Sequence, residues 1–391
     1  MSDVIYNKAD MNDYDDVIDF ADLVFSHAHN PHDFPGMLPK LYKKEFFMDG
    51  IHYLAREKGR IKALVGAYPL KMEFSNQTLA GRGIGAVPVH PRAPSKGYMK
   101  TLMNTAIEDM KKNGIVFSCL GGLRQRYEYF GYTPAGSAYN FTVNESNIRH
   151  TLGKDWKTGL ELRPVNSEDK NILDQIQAFH ELKIARLYRN KDRLFEILSS
   201  WKNRVYVITE NGNFEGYLVC RPDTHDVTEI NVKQLSRLIE VFGLLLRMRK
   251  DYGQESINVI VGPHETGKLK VISQFAESFR QSTVYFFNII NFLKFVEPFL
   301  NLKASQRAIA DGSFTLKING DNGGCFVLSS KNNKPEITTS TAQPDLVLDS
   351  LEATRFLFNP LSPLTNPAIG QSVFLQSLLP LPLFFEKPDG I

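Results

Sequence analysis

The stretch 83–103, GIGAVPVHPRAPSKGYMKTLM, decides how the chain folds. It reads as a strand that runs into a proline-marked turn, then a basic residue, a glycine and a helix start. From there Met99, Leu102, Met103, Ala106, Ile107 and Met110 recur at helical spacing, which predicts one amphipathic helix. Lys111 and Lys112 fall in its last turn, and Gly114 can end it. A helix N-terminus offers unpaired N–H groups and partial positive charge, which suit a pyrophosphate. Gly97 would let a phosphate approach the backbone, and Arg92 and Lys96 would add charge. An ordinary βα turn with a capping glycine has the same spacing, so on the residues alone both readings stand.

Around this unit the first segment continues in kind. Residues 12–28 predict a helix with Val17, Phe20, Ala21, Val24 and Phe25 on one face, broken at NPHDFPG. HYLAREKGRIKALVGAYPLKMEF reads as two strands joined at Lys58 and Gly59. IVFSCL and SAYNFTV are two further strands. The order indicates an α/β or α+β fold with a mixed sheet. In a second segment, 166–202 reads as helical with Asn166 or Ser167 as its cap. A hairpin follows around Asn211 and Gly212, then a helix near 232–250 and the strand INVIVG. The third segment has a helix at 290–300, alternating strands, a strand and helix in PDLVLDSLEATRFLFNP, and a Leu/Pro-rich tail. Three domains are expected, at 1–145, 146–288 and 289–391.

At 391 residues the chain is too long for one ordinary core. With 42% hydrophobic and 23% charged residues and a mean hydropathy of -0.25, it has the balance of a soluble globular protein. A net charge of +3, with basic residues only in pairs, does not point to nucleic acid. Cys119, Cys220 and Cys325 lie far apart and form no disulfide framework, which suits a reducing compartment. The acidic, polar N-terminus is no signal peptide. Lys294 and Glu297 interrupt the most apolar run, so no membrane span is expected. A cytoplasmic location follows as an expectation.

Three further motifs invite chemistry. YEYFGY (127–132) crowds four aromatics around Gly131 and is either core packing or the bearer of a reactive phenol. SHAHNPHDFPG places His27, His29, His32 and Asp33 close together, but across a helix end and a proline turn, which matches no standard metal motif. No metal is expected there; a wall of a substrate pocket is the better reading. GPHETGKL (262–269) completes G-x-x-x-x-G-K but has Leu269 where a P-loop needs Ser or Thr for Mg²⁺. Nucleotide hydrolysis is therefore a distant alternative.

Taken in order, GRGIGAV, PSKGYMKTLM, FSCLGG and RYEYFGY resemble the fourth strand, pyrophosphate loop and helix, fifth strand and tyrosine-bearing segment of GNAT N-acetyltransferases. The full-length layout resembles the enhanced intracellular survival (Eis-like) group, with two tandem GNAT-like domains and a C-terminal domain similar to sterol carrier protein 2. The resemblance implies acetyl-CoA as co-substrate and a primary amine, aminoglycoside-like or lysine-type, as acceptor. It implies cofactor contacts at Val87, Val89, Arg92, Ser95, Lys96, Gly97, Tyr98, Met99 and Gly122. The backbone groups of the two valines would make the contact. Pro94 occupies the position of the usual loop arginine, and Met99 that of a small residue. The resemblance makes Tyr127 the acid that protonates the departing thiolate, a role a phenol with pKa near 10 can fill. It makes the carboxylate of Ile391 a candidate base, with Glu386 and Asp389 as rivals, and it implies a homo-oligomer, a hexamer in the group. A CoA-binding or apolar-ligand-binding protein without turnover is the alternative from another class.

Overall fold

The computed structural model describes residues 4–28, 30–249 and 255–391. The chain opens with β1 (Val4–Lys8), α1 (Tyr14–Ala28) and the short α2 (Phe34–Met37) and α3 (Pro39–Tyr42). Next come β2 (His52–Glu57), β3 (Arg60–Phe74), β4 (Thr78–Gly85), α4 (Tyr98–Lys112), β5 (Phe117–Leu120), α5 (Arg124–Tyr127), β6 (Thr133–Ala135) and β7 (Ala138–Asn144). The middle of the chain holds α6 (Glu145–Leu152), β8 (Leu160–Pro164), α7 (Lys170–Glu181), β9 (Ala185–Leu187), α8 (Leu194–Ser199), β10 (Arg204–Glu210), β11 (Asn213–Cys220) and β12 (Val227–Val232). It continues with α9 (Leu238–Arg249), β13 (Ser256–Val261), α10 (Thr266–Ile272), β14 (Ser278–Ser282) and β15 (Tyr285–Ile289). Last are α11 (Phe292–Ala304), β16 (Gly312–Asn319), β17 (Gly324–Lys331), β18 (Lys334–Thr339), β19 (Leu346–Asp349), α12 (Ser350–Phe358), α13 (Ser362–Thr365), α14 (Pro367–Gly370) and α15 (Val373–Leu378).

These form three mixed sheets in an α+β arrangement. The first runs β1-β2-β3-β4-β5-β15-β6, with β9 on the end of β3. The second runs β14-β7-β13-β12-β11-β10-β8, and the third β18-β17-β16-β19. Two strands cross the boundaries expected from the sequence. β7 lies before residue 146 but pairs with β13 and β14 in the second sheet. β15, nearly all before residue 289, pairs with β5 and β6 in the first. Each of the first two sheets is thus completed by a strand from beyond its own stretch of chain. Phe287 of β15 joins Phe117 of β5 and Phe295, Phe299 and Phe358 of the C-terminal region in one continuous core.

The helix expected over 166–202 is broken. Residues 185–187 form β9, whose Ala185 and Leu187 pair with Phe74 and Met72 and are buried beside Met72. Tertiary pairing overrides local helical preference there. The cap also shifts. Asn166 Oδ1 accepts from the Glu168 amide and Asp169 Oδ2 accepts from the Asn166 amide, so a turn precedes the helix and Asp169 becomes its N-cap. The hairpin at Asn211 and Gly212 forms as expected, both residues having positive φ (51° and 78°). Among the described residues no helix is long and apolar enough to cross a membrane.

Candidate active site

The site is made where two parallel strands part. β4 and β5 pair from Gly81 and Phe117 to Ile84 and Leu120 and no further. Beyond that point β4 stays with β3, pairing Gly85 with Gly66. Ala86 takes a positive φ of 44°, and the chain continues beside β3 through Leu64 N–H to Pro88 O (3.1 Å) and His90 N–H to Lys62 O (2.9 Å). β5 instead leads through Gly121 and Gly122 into α5. A V-shaped gap results, with backbone groups of β4 left without a partner strand on that side.

On one face of the gap lies a cleft of about 770 Å³. Val87, Val89, Ser95, Lys96, Gly97, Tyr98 and Met99 line it, as do Pro94, Leu123, Arg126 and Phe130. Its end is the start of α4. Gly97, at φ 78°, is the N-cap, and no side chain caps the helix. The first amides of a fifteen-residue helix therefore face the cleft with their partial charge available. Two of the residues expected at the cofactor are not among those that line the cleft. Arg92 is exposed outside the cleft wall, its amide donating to His90 Nδ1 at 3.0 Å. Gly122 lies beneath the Tyr127 ring, where a Cβ would fall 2.5 Å from Cε2. Lys96 is on the wall, but its ammonium pairs with Glu57 at 3.1 Å. Arg126 and Lys100 are further cations on the wall, neither singled out from the sequence. The signal for Arg126 was its place one residue before the reactive-tyrosine candidate.

Within YEYFGY the four aromatics separate. Tyr127 ends α5 and is buried, 7% exposed, against the core of the α4 side. Burial pushes its phenol above the ordinary value, and the adjacent Arg126 guanidinium opposes that shift. Tyr132 is fully buried and its hydroxyl meets Ser118 Oγ at 2.8 Å. Phe130 is partly buried and offers its carbonyl to Asn288 Nδ2 at 3.0 Å. Gly131, at φ 84°, makes the turn between them. Tyr129 is 68% exposed, with the Lys100 ammonium 5.0 Å above its ring.

On the opposite face the segment 380–391 returns from the third sheet region and ends on β4. A Cβ on Gly83 would lie 1.9 Å from Ile391 Cδ1, and one on Gly85 2.5 Å from Ile391 Cγ2, so glycine at both positions makes the seat. Lys40 Nζ donates to Pro388 O and Gly390 O, each at 2.5 Å. Burial lowers the Lys40 ammonium to about 7 despite the nearby Asp389 carboxylate. Asp389 accepts from Arg189 Nε at 2.7 Å, and Arg189 Nη2 also donates to Glu229 Oε2 at 2.6 Å. Lys183 Nζ donates to both Glu386 Oε1 (2.5 Å) and Glu229 Oε1 (3.0 Å). Burial alone would raise Glu229, but Arg189 and Lys183 outweigh it and hold the carboxyl well below its usual value. Glu386 and Asp389, the rivals to Ile391 as a base, are both engaged in this buried network. Two cavities flank Ile391, of about 490 and 250 Å³.

The other motifs resolve into structure. Lys268 of the P-loop-like stretch is buried, donating to Asn231 Oδ1 at 3.0 Å and paired with Glu265, so it faces no phosphate. His32 packs at a tilt against the Phe25 and Phe34 rings, and Asp33 caps α2 through Gly36 N–H at 3.0 Å. His29 lies outside the described residues. Among the described residues no three His, Cys, Asp or Glu side chains gather as metal ligands would.

Residues 6–135 match the family model described as the acetyltransferase (GNAT) domain. This part of the chain is a GNAT acetyltransferase domain. The parting of β4 and β5 and the uncapped helix start at Gly97 both lie inside it. No curated protein matches the sequence. Solved structures match along nearly all of it. One is a conserved protein from Enterococcus faecalis described as a probable N-acyltransferase, at 15% identity, TM-score 0.70, covering 99% of this chain and 100% of that one. Another is Eis1 from Mycobacterium abscessus, at 14% identity, TM-score 0.64, covering 100% and 99%. A third is a GCN5-related N-acetyltransferase from Kribbella flavida, at 14% identity, TM-score 0.64, covering 95% and 92%. At such identity the likeness is one of fold, and it extends the GNAT comparison beyond the N-terminal domain to the whole architecture.

Proposed function

We propose that the chain transfers the acetyl group of acetyl-CoA to a primary amine. The observation that carries this is the cleft at the strand parting, closed at one end by the uncapped start of α4. A pyrophosphate is suited to that helix start, and the free backbone groups near Val87 and Val89 suit an amide-bearing pantetheine arm. The amine nitrogen attacks the thioester carbonyl, the C–N bond forms, and the C–S bond of the tetrahedral intermediate breaks. The Tyr127 phenol gives its proton to the departing thiolate, and the Ile391 carboxylate takes the proton lost by the amine. Burial of Tyr127 supports its part, because a phenol raised above its usual pKa is protonated throughout the neutral range. Seating of Ile391 on Gly83 and Gly85, beside the parting, supports the other part. We read the C-terminal region as sterol carrier protein 2-like and the protein as a cytoplasmic homo-oligomer, as the Eis-like resemblance implies; sedimentation in solution tests the assembly.

Isothermal titration with acetyl-CoA and with ATP, followed by thiol release on an amine panel, tests the reading. Acetyl-CoA binding with amine-dependent thiol release is expected. Binding without release on any amine would favour the second reading, a CoA-binding protein without turnover. Pro94 in the loop and the neutralisation of Lys96 by Glu57 are the observations that favour it.

A further inference from the structure

The two glycines that follow β5 face opposite ways. Gly122 lies under Tyr127, whereas a Cβ on Gly121 would meet Tyr285 Cε1 at 3.8 Å. Tyr285 begins β15 and holds Gly390 so closely that a Cβ there would lie 1.7 Å from its hydroxyl oxygen. Tyr285 and Ile391 are shared walls of the 490 Å³ cavity, which has no lining residue in common with the cofactor cleft. Taken with the proposed reaction, on which this inference rests, the cavity is the natural entrance for the acceptor.

Its charge is unusual for a site that receives amines. Arg221 and Lys387 both line it. Among the described residues neither takes part in an ion pair, although Asp223 lines the same cavity. The Lys387 ammonium lies 4.8 Å from the Tyr285 ring centroid. Burial and the neighbouring Arg221 both push Lys387 below its ordinary value, a repulsion that a bound anion would relieve. Trp201, with a positive φ of 61°, adds an aromatic surface, and Asn203 and Thr224 add polar ones. A space of about 490 Å³ suits a small solute rather than a folded protein surface.

We propose that this cavity selects a small acceptor that carries an anionic group besides its amine, with Arg221 and Lys387 binding the anion and Ile391 lying toward the amine. Carboxylate and phosphate share that chemistry. A polycationic acceptor would place further positive charge against two unpaired cations.

The test measures binding and turnover separately on the full chain. 6-Aminohexanoate, phosphoethanolamine and cadaverine are titrated calorimetrically in the presence of CoA, and the same amines are offered with acetyl-CoA for thiol release. At least one of the two anionic amines is expected to bind at least about tenfold more tightly than cadaverine, as one charge-assisted contact allows. The arm that binds identifies the anion. Arg221→Gln and Lys387→Gln are each expected to erode that advantage severalfold, with CoA affinity unchanged. The exposed Arg221 provides the variant least able to disturb folding. Equal or tighter binding of cadaverine, no binding of either anionic amine, or a preference that survives both substitutions would overturn the proposal. Preferential binding without thiol release would sink the acetyl-transfer reading and keep this one; thiol release indifferent to acceptor charge would do the reverse.

Discussion

Tyr127 and Arg126 are neighbours with opposed effects, and their pairing gives a pH signature. An acid works while protonated, so activity is lost as pH rises through its pKa in the complex. Burial raises that value for Tyr127, so the alkaline limb of turnover is expected above pH 10. Arg126→Ala removes the charge that opposes the shift, so the limb moves further up. Tyr127→Phe is expected to cut turnover by about 10²–10⁴ with acetyl-CoA affinity unchanged, read by thiol release and calorimetry. Normal turnover in this variant would remove Tyr127 from the chemistry. At this scale the sequence was partly legible. The pattern of YEYFGY distinguished Gly131 as a turn, but nothing in it tells Tyr127 from Tyr132, which is buried too. That difference lies in what each ring meets, Gly122 for one and Ser118 for the other.

Among the elements, the β4–turn–α4 unit was the most readable, because hydrophobic spacing and a glycine at a helix start are local signals. Gly97→Ala meets no neighbour but forces φ 78° on a residue with a Cβ. It is expected to cost about 1–2 kcal/mol in denaturant unfolding and to weaken acetyl-CoA binding. The seat of Ile391 was not readable, since it joins residues three hundred positions apart. Its test is a double-mutant cycle. Gly83→Ala should destabilise by roughly 1–3 kcal/mol through overpacking against Ile391. Added to Ile391→Ala it should cost much less, and strict additivity of the two changes would show that the contact does not matter. A few residues appended after Ile391 are likewise expected to lower thiol release while sparing acetyl-CoA affinity. β9 was missed because its three residues owe their extended form to β3 rather than to their own preferences.

For the whole molecule, the ion network under segment 380–391 joins the second sheet to the active-site face. Arg189→Met would leave Glu229 and Asp389 buried without their common partner. A loss of about 3–5 kcal/mol is expected, measured by denaturant unfolding, together with loss of turnover as the segment detaches. Acid should act on the same network. Glu229 is held well below the usual value, and Lys268 and Lys183 outweigh burial to hold Glu265 at about 2. Carboxylates with lowered native pKa values stabilise above their unfolded value of 4.5, and that contribution is lost as pH falls toward 2. Unfolding free energy should therefore decline over that window, and less so in Glu265→Gln. The pairs that Arg189 and Lys183 make with Glu229, Glu386 and Asp389 could not be read from spacing, because each links separate regions of the chain.

The reciprocal placement of β7 and β15 also governs the order of events during synthesis. β5 leaves the ribosome by residue 120, but the strand that belongs beside it ends at residue 289. At ordinary elongation rates of about 5–20 residues per second, the flank of β5 waits roughly ten to thirty seconds for its partner. Through that interval the nascent chain presents an apolar strand edge, the kind that invites pairing with other chains. The N-terminal domain thus acquires its finished form late, and a chaperone that shields the β5 edge would act where the growing chain is most exposed.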